Sequence, residues 1–475
     1  MKPVEWVESI QQKSCTVIGL GVSNLPLIDF LLAHGARVTA RDQKTKNEFA
    51  ETADLLESKG VKLFLGDAYL DDLFEEIIFR SPGVHPHTPA LQAAVERGAM
   101  LTSEMELFFD LTPARIIGIT GSDGKTTTTT LTYLMLKEEL EEKGEGRAFV
   151  GGNIGEPLLP RLSEMSECDV AVVELSSFQL YTMQRSPERA AVTNLSPNHL
   201  NWHCDMQDYI NAKCNIYRHA PNRRAVFNAE NAITRELALK HTGAVTYFSS
   251  DKHSAAEFTD LCRDGDRAIY VRDGVIVLWN GAEEIPYFKA EEIRLPGKHN
   301  LENYMTAIAL TDGLVSPKTA RKIAVTFGGV AHRLEHVAQI DGVDYYNSSI
   351  DTSPTRTAAA LSALSKKPIV ICGGYDKHIP FEPLAEVLCK RAKAVVLTGA
   401  TAGRILETLK ACKCTLPIFS EGDFTDAVNR AREIAECGDI VLLSPACASF
   451  DAFRNFAERG DTFKNIVRQF QKKEL

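Results

Sequence analysis

The run Arg115-Ile-Ile-Gly-Ile-Thr-Gly-Ser-Asp-Gly-Lys-Thr-Thr127 holds the residue types best suited to chemistry in this chain. Ile116 to Ile119 is a short apolar run, which predicts a buried parallel strand. The segment Thr120 to Lys125, with Gly121, Ser122, Asp123 and Gly124, is small and Gly-rich, and Thr126 and Thr127 open a predicted helix that runs to Leu136. A strand, a glycine turn and a helix N-terminus together cradle a phosphate, because backbone N–H groups converge on the anion and the helix end adds about half a positive charge. Lys125 can reach the outer phosphates, and the Thr126 hydroxyl can ligate Mg2+. The turn departs from G-x-x-x-x-G-K-[ST], with Ile119 where the first glycine belongs.

Further polar residues stand at predicted strand ends. Asp169 to Val173 is apolar and ends in Glu174, and a carboxylate at a strand tip beside a phosphate loop is where Mg2+ is held. A third strand, Ala190 to Asn194, leads to Ser196-Pro-Asn198-His199-Leu-Asn201-Trp-His203. Tyr209 to Tyr217 is a predicted helix carrying Lys213. Asn300 and Asn303 lie three apart on another predicted helix, so both face one side; two amides there suit the edge of a base, or simply cap the helix.

These residues need a scaffold. Cys15 to Gly21, a helix from Leu25 to His34 and a strand from Arg37 to Ala40, ending at Asp42, form a βαβ unit with a Gly19-Leu-Gly21 turn; Asn24 replaces the third glycine of a dinucleotide fingerprint. Ile77 to Phe79 runs into Ser81-Pro82-Gly83-Val84, another turn able to face a phosphate. Helix Glu104 to Phe109 and Thr112-Pro113 mark a junction, and Phe327-Gly-Gly-Val-Ala-His332-Arg333 opens a further domain with strands at Pro368–Cys372, Ala394–Leu397 and Ile440–Leu443. Strands alternating with helices throughout imply an α/β protein with mainly parallel sheets in all three domains. The domains expected are 1–110, 111–328 and 329–475.

The 475 residues suit about three domains, and 44% hydrophobic with 24% charged is ordinary for a soluble globular chain. A net charge of -10 argues against nucleic-acid binding. No charged-then-apolar leader and no membrane-length apolar run is seen, and the eleven cysteines show no metal pattern. A cytoplasmic enzyme with unpaired thiols is therefore expected. The Glu-rich run Glu138 to Glu145 is read as a solvated helix end and loop.

Gly151-Gly-Asn153-Ile-Gly155, Glu174-Leu-Ser-Ser-Phe-Gln179, His332-Arg333-Leu-Glu335 and Leu443-Ser-Pro-Ala-Cys-Ala-Ser449-Phe-Asp451 with Phe453 to Gly460, taken with the shortened phosphate loop, resemble the Mur ligase family over nearly the whole chain. The resemblance implies a Rossmann-like N-terminal domain, a central P-loop ATPase-type domain and a Rossmann-like C-terminal domain. It implies an ATP-dependent amide synthesis in peptidoglycan precursor assembly. The Phe453 to Gly460 motif favours the member that adds D-glutamate to UDP-MurNAc-L-Ala through an acyl phosphate. It further implies two Mg2+ sites, with Thr126 and Glu174 at the first and His199 at the second beside Lys213 as a carbamate. Arg333 would touch the phosphates, Asn300 and Asn303 the adenine, and Asp351 the ATP; Ser348 is the other residue that could replace the family's ATP-contacting aspartate. Val22, Ser23, Asp42, Ser81, Pro82 and Gly83 match the uridine-nucleotide loops, and Asn153 lies near the muramoyl-alanine end. Thr352, Lys377, Ser449 and Phe456 fall at the D-glutamate site. A monomer without nucleic-acid or membrane partners is expected. The competing readings are another Mur-type or folylpolyglutamate-type ligase, and a P-loop ATPase or kinase with a dinucleotide-binding domain.

Overall fold

The structure, a computed structural model, describes residues 10–200, 202–295, 297–364, 366–376 and 380–472. It forms two compact units, Met1–Phe327 and Gly328–Leu475.

The first unit holds two sheets. One has the order β3-β2-β1-β4-β5, from β1 (Ser14–Ile18), β2 (Arg37–Asp42), β3 (Lys62–Leu65), β4 (Ile77–Arg80) and β5 (Met100–Thr102). All its strands pair in parallel. The second is built from β6 (Arg115–Thr120), β7 (Ala148–Gly152), β8 (Val170–Glu174), β9 (Arg189–Val192), β10 (Arg224–Asn228), β11 (Ala244–Phe248), β12 (Arg267–Arg272), β13 (Val275–Trp279) and β14 (Glu284–Lys289). β6 sits between β8 and β9. Such a strand is buried on both faces, which is why Ile116 to Ile119 is uninterruptedly apolar. A single hydrophobic core continues from Val17 and Phe79 of the first sheet, through Leu107 and Phe108 of the helix Glu104–Leu111, to Val173 and Val192 of the second.

The second unit carries one sheet, order β15-β16-β20-β17-β18-β19, from β15 (Glu335–Ile340), β16 (Val343–Asn347), β17 (Ile369–Cys372), β18 (Ala394–Leu397), β19 (Ile418–Ser420) and β20 (Ile440–Leu443).

The sheets are mainly parallel, as expected, and antiparallel pairing is confined to two edges. β12, β13 and β14 run antiparallel, as do β15 and β16. Both β12–β13 and β15–β16 turn on an Asp-Gly pair with positive φ, Asp273-Gly274 and Asp341-Gly342. Two such residues give the turn twist that matches a hairpin. In the Glu-rich run the helix Lys125–Lys143 ends and a loop follows, as expected, but Glu139 is not solvated: it is buried, accepting hydrogen bonds from the Ser316 N–H (3.1 Å) and hydroxyl (2.8 Å). Cys389 and Cys414 are joined as a disulfide with Cα atoms 5.5 Å apart, so the expectation of unpaired thiols fails for that pair.

Candidate active site

The phosphate loop is shaped from both ends. Gly121 (φ +149°) and Gly124 (φ +78°) adopt backbone that favours glycine, and side chains there would strike Thr193 and Asn303. The segment after β9 holds the loop in place. Asn194 gives its carbonyl to Ser122 N–H (2.9 Å) and its side-chain oxygen to Asp123 N–H (2.9 Å). Thr193 Oγ1 donates to the Asp123 carbonyl (2.6 Å), and Ser122 Oγ pairs with the Tyr209 hydroxyl (3.0 Å). Lys125 and Thr126 are the first two residues of the helix, and Thr127 follows. Lys125 Nζ curls back onto the carbonyls of Gly121 and Ser122, 3.0 Å from each.

Four expected residues come together around that loop. Glu174 closes β8, next to β6, and is 1% exposed. Its Oε1 accepts from Asn153 Nδ2 (2.9 Å), which places Asn153 beside the carboxylate; its buried Oε2 has no hydrogen-bond partner among the described residues. An orphaned carboxylate oxygen costs about 1–3 kcal/mol, so it marks a place for a cation or donor to fill. Lys213 sits in the helix Met206–Arg218, whose N-terminus is capped by Asp205. It is 2% exposed and donates to Thr120 Oγ1 (3.0 Å) and the Gly121 carbonyl (2.9 Å), with its ammonium 4.9 Å from the centre of the Tyr209 ring. Burial, then the charge of Lys125, push the Lys213 amine well below its ordinary value, with Glu174 opposing. His199 adopts φ +56° and packs its ring edge against Phe178 at 4.8 Å. Desolvation, then Lys213 and Lys125, lower its pKa.

Two neighbouring amines, one carboxylate with a partnerless oxygen and an imidazole whose charged form is disfavoured therefore share one small region. Among the described residues no group of three or more His, Cys, Asp or Glu forms a ready metal cage. The donor set here is mixed instead, and Mg2+ prefers oxygen. The partnerless Glu174 Oε2 is the oxygen that fits such an ion, whereas the Lys213 ammonium does not.

Asn303 is buried, accepts from Thr128 Oγ1 (3.2 Å), and reaches the Asn300 side-chain oxygen with its Nδ2 (3.5 Å). The helix Lys298–Thr311 is thereby docked on the phosphate-loop helix. The two amides share a face, as their spacing requires.

In the first sheet, Gly19 has φ +88° and a side chain there would meet Ser81, so the two expected loops lie against each other. Asn24 bonds the Ile18 and Gly19 carbonyls (3.2 and 2.8 Å), which explains its presence where a third glycine was looked for. Asp42 braces the same turn, accepting from Leu20 N–H (2.7 Å) and Lys44 N–H (2.9 Å). Val22 is exposed, and Ser23 precedes the helix Asn24–Ala33. Pro82 and Gly83 continue the turn after β4.

In the second unit, Asp351 accepts from Ser444 Oγ (2.8 Å), and its N–H donates to the Ser348 carbonyl (2.9 Å). Burial raises the Asp351 carboxyl, against bonds from Ser348 and Ser444 and the charge of Arg333. Arg333, Asp351, Ser348 and Thr352 thus share one corner. Ser449 is buried, and Phe456 gives its carbonyl to Ser349 Oγ (2.7 Å). Lys377 lies outside the described residues. A cavity of about 240 Å3 at the carboxyl ends of β17 and β18 is lined by Gly373, Gly374, Gly399, Asp451 and Arg459.

Several supporting residues were not singled out from the sequence. Asn194 and Thr193 follow a strand end beside β6, and that position was the signal available. Arg459 is buried and donates to Ser349 Oγ and to the Ala448, Ser349 and Cys447 carbonyls at 2.9–3.1 Å; burial lowers it to about 10. His203 links Asp208 Oδ2 and Ser177 Oγ, both at 2.9 Å, bracing the His199 loop. Neither residue has a local pattern that announces a buried partner.

Three family models match the chain: "Mur ligase MurD-like, N-terminal domain" over residues 13–103, "Mur ligase middle domain" over 119–311 and "Mur ligase, glutamate ligase domain" over 332–447. A protein of Clostridium novyi named UDP-N-acetylmuramoylalanine--D-glutamate ligase is 46% identical over 469 residues, covering 98% of each chain. One of the same name from Clostridium perfringens is 44% identical over 469 residues, again with 98% of each covered. Among solved structures, UDP-N-acetylmuramate-alanine ligase MurC of Thermotoga maritima aligns over 97% of this chain and 100% of its own with a TM-score of 0.50 and 16% identity, a likeness of fold. In sequence from end to end, and in the build of its three sheets, this chain belongs to the Mur ligase family.

Proposed function

We propose that this chain joins D-glutamate to UDP-MurNAc-L-Ala in an ATP-driven amide synthesis. The observation that carries this reading is near-full-length identity of 46% to a ligase of that name. The phosphate loop and its neighbours support it in chemical terms. An acceptor carboxylate oxygen attacks the γ-phosphorus, the bridging oxygen leaves with ADP, and an acyl phosphate results. The amine of D-glutamate then attacks the acyl carbon, loses a proton, and expels phosphate. Both steps bring anions together, so they need fixed positive charge where water is excluded.

Lys125 supplies part of that charge once its ammonium leaves the loop carbonyls for the β- and γ-phosphates. Bound Mg2+ would neutralise the meeting anions. Thr126 and Glu174 would hold one ion, and His199 with Lys213, as a carbamate, a second. Asn300 and Asn303 would meet the adenine, Arg333 the phosphates and Asp351 the nucleotide. Val22, Ser23, Asp42 and Ser81 to Gly83 would take the uridine nucleotide, and Asn153 the muramoyl-alanine end. Thr352, Lys377, Ser449 and Phe456 would take D-glutamate. We further read the domains as 1–110, 111–328 and 329–475, and the enzyme as a cytoplasmic monomer. Among the described residues no helix is long and apolar enough to cross a membrane.

The test is to incubate the chain with ATP, Mg2+, UDP-MurNAc-L-Ala and a panel of amino acids and weigh the product. A product heavier by one dehydrated glutamate, formed with the D isomer and at least tenfold faster than with any other amino acid, is expected. Product with another amino acid instead, or phosphate release that needs no acceptor, refutes the assignment.

A further inference from the structure

The turn Ser81–Val84 has all four of its carbonyls committed. Arg80, which closes β4 and is 1% exposed, donates from Nη1 to the carbonyls of Ser81 (3.4 Å), Pro82 (3.2 Å) and Val84 (2.8 Å). The remaining carbonyl, that of Gly83, accepts from the indole N–H of Trp202 (3.3 Å). Ser81 N–H is bonded to the Ile18 carbonyl (2.9 Å), Val84 N–H closes the turn on the Ser81 carbonyl (3.0 Å) and Pro82 has no N–H, so the backbone of the turn is fixed on nearly every side.

Each of the two donors joins this turn to the second sheet. The other end of the Arg80 fork, Nη2, bonds the Phe178 carbonyl (3.1 Å) and Thr182 Oγ1 (3.2 Å). Phe178 belongs to the short helix Ser177–Leu180 that follows Glu174. The Arg80 charge is balanced by relay, since Thr182 Oγ1 in turn donates to Glu106 Oε2 (3.3 Å). Trp202 reaches the turn from the opposite direction, on the loop that carries His199. Its ring lies 4.4 Å from that of His85 and 4.7 Å from that of Phe178, and Phe178 also packs against His199. A buried guanidinium spent mainly on neutral carbonyls is poorly repaid as a stabilising charge; its rigid fork is suited to fixing geometry.

We propose that Arg80 and Trp202 are positioning residues that form a cross-brace between the two nucleotide loops, so that a uridine-diphosphate sugar on Ser81–Val84 and ATP on the phosphate loop bind each other's enzyme form more tightly. The inference rests on the acceptor assignment made above. It works through the segment that follows Glu174 at the end of β8 and the segment after β9 that carries His199: a ligand that orders Ser81–Val84 orders them through the brace. Coupling of this kind is reciprocal.

The test measures binding of a non-hydrolysable ATP analogue with Mg2+, with and without saturating UDP-MurNAc-L-Ala, by calorimetry. In the unaltered protein the acceptor tightens analogue binding about fivefold or more, and the analogue tightens acceptor binding by the same factor. Trp202→Phe keeps a ring and loses the indole N–H; it lowers the factor below about twofold while each ligand alone still binds. Arg80→Lys acts in the same direction, and if that buried substitution prevents folding, Trp202→Phe decides alone. A factor unchanged in Trp202→Phe, even with weaker binding or a lower melting temperature, overturns the brace, as does a factor of one in the unaltered protein. Failure of the unaltered protein to bind UDP-MurNAc-L-Ala at all overturns the acceptor assignment itself, and the brace with it.

Discussion

Lys213 is the residue whose chemistry depends most on its surroundings. At 2% exposure it has, among the described residues, two neutral acceptors, with the Lys125 ammonium and Glu174 in electrostatic reach. A second ammonium is a poor neighbour for Mg2+: at 4 Å and an effective dielectric of 20, unit charges interact by roughly 4 kcal/mol, doubled for a divalent ion. Addition of CO2 reverses the sign and supplies oxygen. The reaction needs the neutral amine, and burial favours it by lowering the Lys213 pKa from 10.5. The unfolded chain keeps the ordinary value, so it binds more protons in the window between the two pKa values, and stability attributable to this group rises with pH there. Stripping dissolved CO2 should abolish most activity, and restoring it at fixed concentration should bring activity back at a rate that already levels off well below pH 10.5. Activity indifferent to CO2, or full activity in Lys213→Ala, contradicts this. The residues of this site were legible where a strand end or the phosphate loop announced them, as with Lys125 and Glu174. Asn194, His203 and Arg80 were not, because their roles are set by contacts far along the chain.

The phosphate-loop helix Lys125–Lys143 is anchored at both ends. Its first turn meets Asn303, and its last third is tied through Glu139 to Ser316, the N-cap of the helix Pro317–Thr326. Burial would raise the Glu139 carboxyl, but bonds from Thr319, Ser316 and Lys143 outweigh it and hold it at about 2, against 4.5 ordinarily. A depressed carboxyl stabilises the fold above its unfolded pKa and loses that contribution as pH falls through the folded value. Glu139→Gln should therefore cost about 1–3 kcal/mol at neutral pH, by leaving buried donors poorly matched. The gap between variant and parent in thermal unfolding should close as pH drops from 4.5 towards 2. A pH-independent gap contradicts the charge argument. This anchor was missed because a Glu-rich run reads as solvent-facing. The two hairpins were missed for another reason. Asp273-Gly274 and Asp341-Gly342 do carry the signal for a tight turn, but the alternation of strands and helices around them dominated the reading. The strands β18 and β20 were read to the residue, because short apolar runs buried on both faces leave little choice.

At the scale of the molecule, the order of a glycine-turn sheet, a phosphate-loop sheet and a third α/β sheet was visible in the sequence. What was not visible is that the first two share one core through Leu107 and Phe108, since such contacts are not local. In the proposed reaction an acceptor carboxylate must be activated by the γ-phosphoryl group of ATP. Labelling both carboxylate oxygens of UDP-MurNAc-L-Ala with 18O tests this most directly. Attack by that carboxylate on the γ-phosphorus, followed by amide formation, transfers one labelled oxygen to the phosphate released in each turnover. Phosphate carrying one 18O, formed only when acceptor and D-glutamate are both present, is the predicted result. Unlabelled phosphate, or label recovered in AMP, would contradict the account.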